Sequence, residues 1–542
     1  MQKKQTILII ASLLVVVLSV TLAYFTAQII GKGKDVSVSS ADLKIVFTDT
    51  DGNIEGNDIT PGWSNSKTFT VKNESNGTYK YDIIIKDLVN TFKTYKYLQY
   101  KITSTDGGYN MTDYSYLPKS STKEDVALAY EVSIDKGKTH TYIVEIKYVN
   151  DEVVDQSIDM GQSLSGTIYI REFTKPTMKL TDKLMADNPT IGTRTTFTAF
   201  TETNTKRLYK ATEQIGTNPV KDVYYFAGDA KNNWVKFGKY KNNGPILGYN
   251  ENGSFKEYTS LDTCNSASSY NLNCSYAWEK GDSMYWRVIR TNHDGSIKLL
   301  YAGTSPDTTS GYIGRSAFNT RIDDPMYVGY KYGTSGSLEN NRLNTNDSTI
   351  KTYVDNWYKN NLTAYTKYLS KDAVYCNDRN LESGKTYSTT SNFGYAPRER
   401  VYTNKQPTYN CTNMSDAFSV NNTSAKLDYP VGLITADEIS YAGGEAYIPL
   451  TAPYAWYYTN ANGESSYGND FFWALSPDCW DGSGSGVWNV LGSDGPGRLN
   501  GGFVVVSVAV RPSVSLSSCN LISRGDGSAN NPYTVYIGSG SC

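Results

Sequence analysis

Only two histidines occur in the 542 residues, His140 and His293, and neither has a spacing that does chemistry. His140 opens a strand-like run with no Ser or Cys nearby to build a nucleophilic set. His293 lies in Asn292-His-Asp-Gly295, a hairpin-turn sequence. No His-Glu-x-x-His word is present to seat zinc on a helix. The acids offer an adjacent pair after an apolar run, Asp437-Glu438. Two carboxyls divide general acid and base roles when their environments separate their pKa values. Neighbours on a strand point to opposite faces, however, so this pair reads as a cap or loop feature. The expectation is no catalytic residue and no resident metal.

Binding chemistry is better placed in the Gly-rich stretch after Cys479. Trp480, Trp488, Asn489 and Asp494 are the ligand-binding candidates, with Trp480 the better surface ring and Trp286 a core ring within an apolar run. Trp488-Asn489 resembles the Trp-Asn-Asp of calcium-binding lectins, but Val490 stands where the acid would be. Calcium needs about 6–8 oxygens. Asp481, Asn489 and Asp494 are the candidates for it, so calcium is the one ion considered and the cofactor expectation is none.

All seven cysteines fall between residues 222 and 542: Cys264, Cys274, Cys376, Cys411, Cys479, Cys519 and Cys542. Their spacing is not that of a zinc site, and outside the cytoplasm disulfides are the default. Cys264 and Cys274 would close a short loop, Cys376 and Cys411 a polar one, and Cys519 and Cys542 the C-terminal hairpin. Cys479 is then odd, and Cys479–Cys519 competes. Each bridge would stabilise by roughly 2–4 kcal/mol.

These residues need a scaffold and a compartment. The 52 Lys and Arg nearly cancel the 54 Asp and Glu, which gives no basic footprint for nucleic acid. The 45 tyrosines suit half-buried strands. Lys3 and Lys4 precede the uncharged apolar segment Thr6–Ile30, long enough at about 1.5 Å per residue to span a bilayer. Residues 1–34 are therefore read as a signal or transmembrane helix. The chain beyond is placed outside the cell, tethered to the membrane, or secreted if the segment is cleaved.

From 35 to 172, seven runs alternate apolar and polar: Val36–Phe47, Lys67–Val71, Tyr79–Ile85, Tyr97–Ile102, Ala127–Ile134, Thr139–Val149 and Leu164–Ile170. They fit an immunoglobulin-like β-sandwich without a disulfide. Residues 173–221 read as a linker with one short helix carrying Leu180, Leu184 and Met185, stopped at Asn188-Pro189. Residues 222–542 read as a larger α+β domain. Its strands are Val223–Phe226, Tyr285–Ile289, Ile297–Tyr301, Gly502–Val510 and Ser513–Leu516. A helix is expected where Ser348 caps Ile350, Val354, Trp357, Tyr358 and Leu362. The stretch 482–502 reads as long loops. The fold class is mainly β.

Thr21-Leu-Ala-Tyr-Phe-Thr26, Ile59-Thr-Pro-Gly62, Phe69-Thr-Val-Lys-Asn73 and Asp155-Gln-Ser together resemble the TasA and camelysin family of Gram-positive secreted proteins. That resemblance implies a β-sandwich on the cell surface or in biofilm fibres. Other words lie further along: Tyr285-Trp-Arg-Val-Ile-Arg290, Asp294-Gly-Ser-Ile-Lys298, Gly432-Leu-Ile-Thr-Ala-Asp-Glu438, Trp473-Ala-Leu-Ser-Pro477 and Val510-Arg-Pro-Ser-Val514. They are similar to surface-protein modules of gut Firmicutes, and the ending is similar to C-type-lectin-like folds. The expectation is a non-enzymatic, adhesin-like surface protein with a glycan or protein ligand outside the cell. The alternatives are a self-associating fibre subunit of the matrix and an extracellular hydrolase.

Overall fold

A computed structural model describes residues 26–31, 36–39, 44–49, 54–56, 59–152, 154–249, 255–267, 273–538 and 542. Residues 1–25, most of the segment read as a membrane helix, lie outside them. The end of that segment is not helical: Thr26–Gly31 is a strand, paired in parallel with Ser163–Glu172. Among the described residues, no helix is long and apolar enough to cross a membrane. The chain is mainly β and divides into two compact units, up to Lys175 and from Pro176.

In the first unit, alternation decides the architecture. Along Thr139–Tyr148, the side chains of Tyr142, Val144, Ile146 and Tyr148 are buried, while the misfit Ile143 is 43% exposed. The same period builds Ser64–Asn73 and Leu98–Ser104, whereas Tyr79–Asn90 and Ser120–Ile134 pair through several register shifts and residues 81–85 are buried in succession. These strands form a five-stranded and a six-stranded sheet that share one core. Phe69 and Val144 come to that core from one sheet, Ile83 and Ile168 from the other. The run Val36–Phe47, read as one strand, is a hairpin of Val36–Ser39 and Lys44–Asp49. Pairing the two halves satisfies the backbone groups that one edge strand would leave open. His140 is buried, its Nδ1 2.8 Å from the Tyr81 hydroxyl, which lies 2.7 Å from that of Tyr142. It closes a core network.

The second unit begins earlier than the sequence reading places it. The helix Leu180–Asp187 forms as read, with Leu180 and Leu184 buried and Asn188 ending it. Residues 176–221 are not a free linker, however. Leu180, Leu184 and Leu208 belong to the unit's main core. Arg207–Glu213 pairs with Lys221–Tyr225, whose Tyr225 pairs with Arg290 in a ten-stranded sheet. The Thr-rich stretch is pinned by Arg194, whose Nη1 donates to the Tyr441 carbonyl at 2.6 Å, and by buried Phe197. A few anchors suffice where composition alone suggests exposure.

The ten-stranded sheet carries Ser283–Thr291, Ile297–Tyr301 and Pro512–Leu516 side by side. A six-stranded sheet carries Phe472–Trp480, Ser485–Val490 and Leu499–Phe503. The run Gly502–Val510 is not continuous, because a turn with exposed Val505 and Val506 separates Leu499–Phe503 from Val508–Ala509. The helix Thr349–Asn361 has Ser348 as its N-cap, accepting from the Lys351 amide, and buries Ile350, Val354, Trp357 and Tyr358. Three disulfides staple this unit, Cys264–Cys274, Cys376–Cys411 and Cys519–Cys542, and Cys479 is a free thiol.

Candidate functional site

The candidate ligand residues do not form a surface. Trp480 is 2% exposed, Trp488 0% and Asn489 4%. Both tryptophans belong to the unit's main core. The stretch 482–502 is not a set of loops but contains the strands Ser485–Val490 and Leu499–Phe503. A Cβ at Gly501 would lie 2.1 Å from Asp478 Oδ2, and one at Gly502 2.3 Å from Asn489 Nδ2. Glycine here leaves room for the Asp478 and Asn489 side chains within the sheet.

The three oxygens considered for calcium do not converge. Asp481 stands before the strand Ser485–Val490, where its Oδ1 accepts from the Ser483 and Gly484 amides at 2.8 and 2.6 Å. Asn489 is buried within that strand, and Asp494 is exposed on the turn beyond its far end. A strand of this length separates its ends by roughly 17–20 Å. Cys479 is a partly buried free thiol beside Asp478. Burial and the neighbouring Asp478 push its thiol well up, and Sγ donates to Asp478 Oδ2 at 3.4 Å.

The chemistry that does converge is buried, at the carboxylate pair. Asp437 and Glu438 lie on the first turn of the helix Ala436–Ala442, not on a strand. Thr435 and Glu438 form a reciprocal capping box: the Glu438 amide donates to Thr435 Oγ1 at 3.1 Å, and the Thr435 amide to Glu438 Oε2 at 2.9 Å. The cap role read from the sequence is thus present. The separation onto opposite faces is not, because a helix turn lets both carboxylates line one cavity of about 20 Å³.

Glu438 Oε1 accepts from Arg290 Nε at 2.9 Å and from Lys298 Nζ at 2.8 Å. Arg290 Nη2 donates to Glu213 Oε1 at 2.9 Å, and the His293 amide donates to the same carboxylate at 2.6 Å. Asp437 takes Arg400 bidentately at 2.8 and 2.9 Å, and Arg400 Nη1 donates to Asp378 Oδ2 at 2.7 Å. Burial would raise Glu213, but Arg290 and His293 hold it down to about 2. Burial likewise opposes ionisation of Glu438, which Lys298 and Arg290 hold below its ordinary value. Burial lowers Lys298 against the pull of Glu438, and it raises Asp378 against that of Arg400.

Each of the four carboxylates lining the cavity is ion-paired, and the space is on the scale of one water molecule. The arrangement locks elements together. Arg290, Lys298, Glu438 and Ser476 each come from one of the short words noted in the sequence, and Ser476 Oγ accepts from the Ala436 amide at 2.9 Å. Arg511, from the last of those words, is buried and donates to the carbonyls of Tyr301 and Tyr457. The sequence signal missed here was a charge inside an otherwise apolar strand, at Arg287, Arg290 and Lys298.

A second cluster imitates a metal site. Carboxylate oxygens of Asp347, Asp355 and Asp428 lie within 4.8 Å of one another. The ammonium of buried Lys351 stands among them, 3.1, 2.6 and 3.0 Å from the three. Lys351 and Asp355 stand four residues apart on the helix Thr349–Asn361, Asp347 lies just before its cap, and Asp428 comes from a distant segment. No protein-family description matches the chain, and no curated protein matches it.

Proposed function

We propose that this chain is an exported surface protein in which a cysteine-free, immunoglobulin-like unit carries a larger, disulfide-stapled unit that displays a non-catalytic binding face. The observation that carries the reading is the set of three disulfides, all in the second unit, because such bonds persist in oxidising compartments. The non-enzymatic part is supported by the pairing of the buried acids and by the structural bonds of His140. Thiol counting on protein taken from native cell envelopes tests it. Alkylation of the denatured, unreduced protein should mark one cysteine, Cys479, and alkylation after reduction all seven. Seven marked before reduction would remove the basis of the reading.

A further inference from the structure

A partly exposed cluster at the end of an interior strand of the six-stranded sheet has the chemistry of a ligand site. Asp478 and Cys479 lie at the end of Phe472–Trp480, where Gly394 pairs beside Cys479 on one side and Gly486 on the other. Arg398 projects from the next helical turn. Its Nη1 donates to Asp478 Oδ1 at 3.1 Å, and its Nε stands 3.5 Å from Glu382 Oε1. The two acids rest where a side chain is missing. A Cβ at Gly394 would lie 2.2 Å from the Glu382 carboxylate, and one at Gly501 2.1 Å from Asp478 Oδ2.

Tyr402 flanks this fork. Arg398 Cζ lies 5.4 Å from its ring centroid, Tyr447 meets it edge-on at 5.1 Å, and the residue is 44% exposed. The backbone is unusual at the same place. Glu399–Asn404 is a wide π-type turn, and Lys405 and Tyr447 adopt φ of 50° and 62°. Such turns and left-handed non-glycine residues gather at functional sites.

We propose that Arg398, Glu382 and Tyr402 form a binding subsite for a neutral saccharide, a proposal that rests on the display reading above and names its ligand. Beyond its two acids and the Tyr447 hydroxyl the guanidinium keeps further donors, and it is partly exposed. A sugar hydroxyl accepts from Arg398 while donating to Glu382, and the C–H face of a pyranose packs on the Tyr402 ring. Two carboxylates against one guanidinium disfavour an acidic ligand. Asp478, almost wholly buried, is a positioning residue that aims Arg398.

The test uses the full, disulfide-intact chain against immobilised maltotetraose, cellotetraose, mannotetraose and chitotetraose, with sialyllactose as the acidic probe. Wild type should bind a neutral oligosaccharide. Tyr402→Ala should weaken that binding by about tenfold or more, and Arg398→Lys should weaken it also, because ammonium cannot reproduce the fork. Tyr402→Ala should keep the wild-type melting temperature, and Arg398→Lys, which retains the cation facing Asp478, should still melt cooperatively. Equal binding by wild type and both variants overturns the subsite. Binding of sialyllactose alone, or of none of the probes, overturns the neutral-sugar assignment. Failure of the export reading shows instead in the thiol count, so the two are separable.

Discussion

Glu438→Gln isolates the charge of the buried lattice. Glutamine keeps the shape of the side chain and an oxygen for the Thr435 amide, so the capping box survives in outline. What goes is the charge that faces Arg290 and Lys298. Two anions, Glu213 and Glu438, then no longer balance two cations, and one buried cation is left unpaired. Breaking such a pair costs about 3–5 kcal/mol. A unit running from Pro176 to Cys542 has an unfolding entropy of roughly 0.8 kcal/mol/K, so its melting temperature should fall by roughly 4–6 °C.

The deficit should also depend on pH. Burial already holds Lys298 below its ordinary value, and losing Glu438 lowers it further. The unfolded lysine keeps its proton up to about pH 10.4. Folding then releases a proton, so stability rises with pH between the folded and unfolded values. Calorimetry across pH 6 to 9 should show the gap to wild type narrowing upward. Adding Lys298→Met should recover part of the loss, since it removes the unpaired cation. A Glu438→Gln protein melting within about 1 °C of wild type at every pH would refute the view that these charges hold the unit together.

Lys351→Met should destabilise by about 2 kcal/mol at pH 8, a figure discounted because Asp347 and Asp428 face solvent. Burial has already raised Asp355 to about 6, and without the ammonium Asp355 and Asp428 protonate more readily. Folded-state acids raised in this way lose stability as pH rises, so thermal melts at pH 5 should show a smaller deficit than at pH 8. Replacing Cys376 and Cys411 with serine opens the loop whose Asp378 and Arg400 wall the cavity, and should cost about 3–4 kcal/mol by denaturant titration. A chain starting at Asp222 should fail to give a cooperative melt, whereas one starting at Pro176 should retain it, because Leu184 and Leu208 are core.

Much of the architecture is written locally. The alternation of Tyr142, Val144, Ile146 and Tyr148 assigns a strand and its buried face, because successive side chains must point to opposite sides. Ser348 and the apolar spacing after it mark a helix start for equally local reasons. The six cysteines that bond were candidates from their compartment and spacing, though Cys479–Cys519 stayed open until the fold placed Cys479 beside Asp478.

Tertiary packing alone decided the rest. Trp480 and Trp488 sit in a Gly-rich, polar stretch that looks exposed, and they are buried because the strands that carry them pack into the main core. The Thr-rich segment docks through Arg194 and Phe197, two residues that composition hides. Arg290, Lys298, Glu438 and Ser476 are distributed over nearly two hundred positions, yet they meet at one cavity. Periodicity and capping act within a few residues, so they are readable in order along the chain. The pairing of a buried charge depends on whichever distant segment packs against it, and only the folded core brings that segment there.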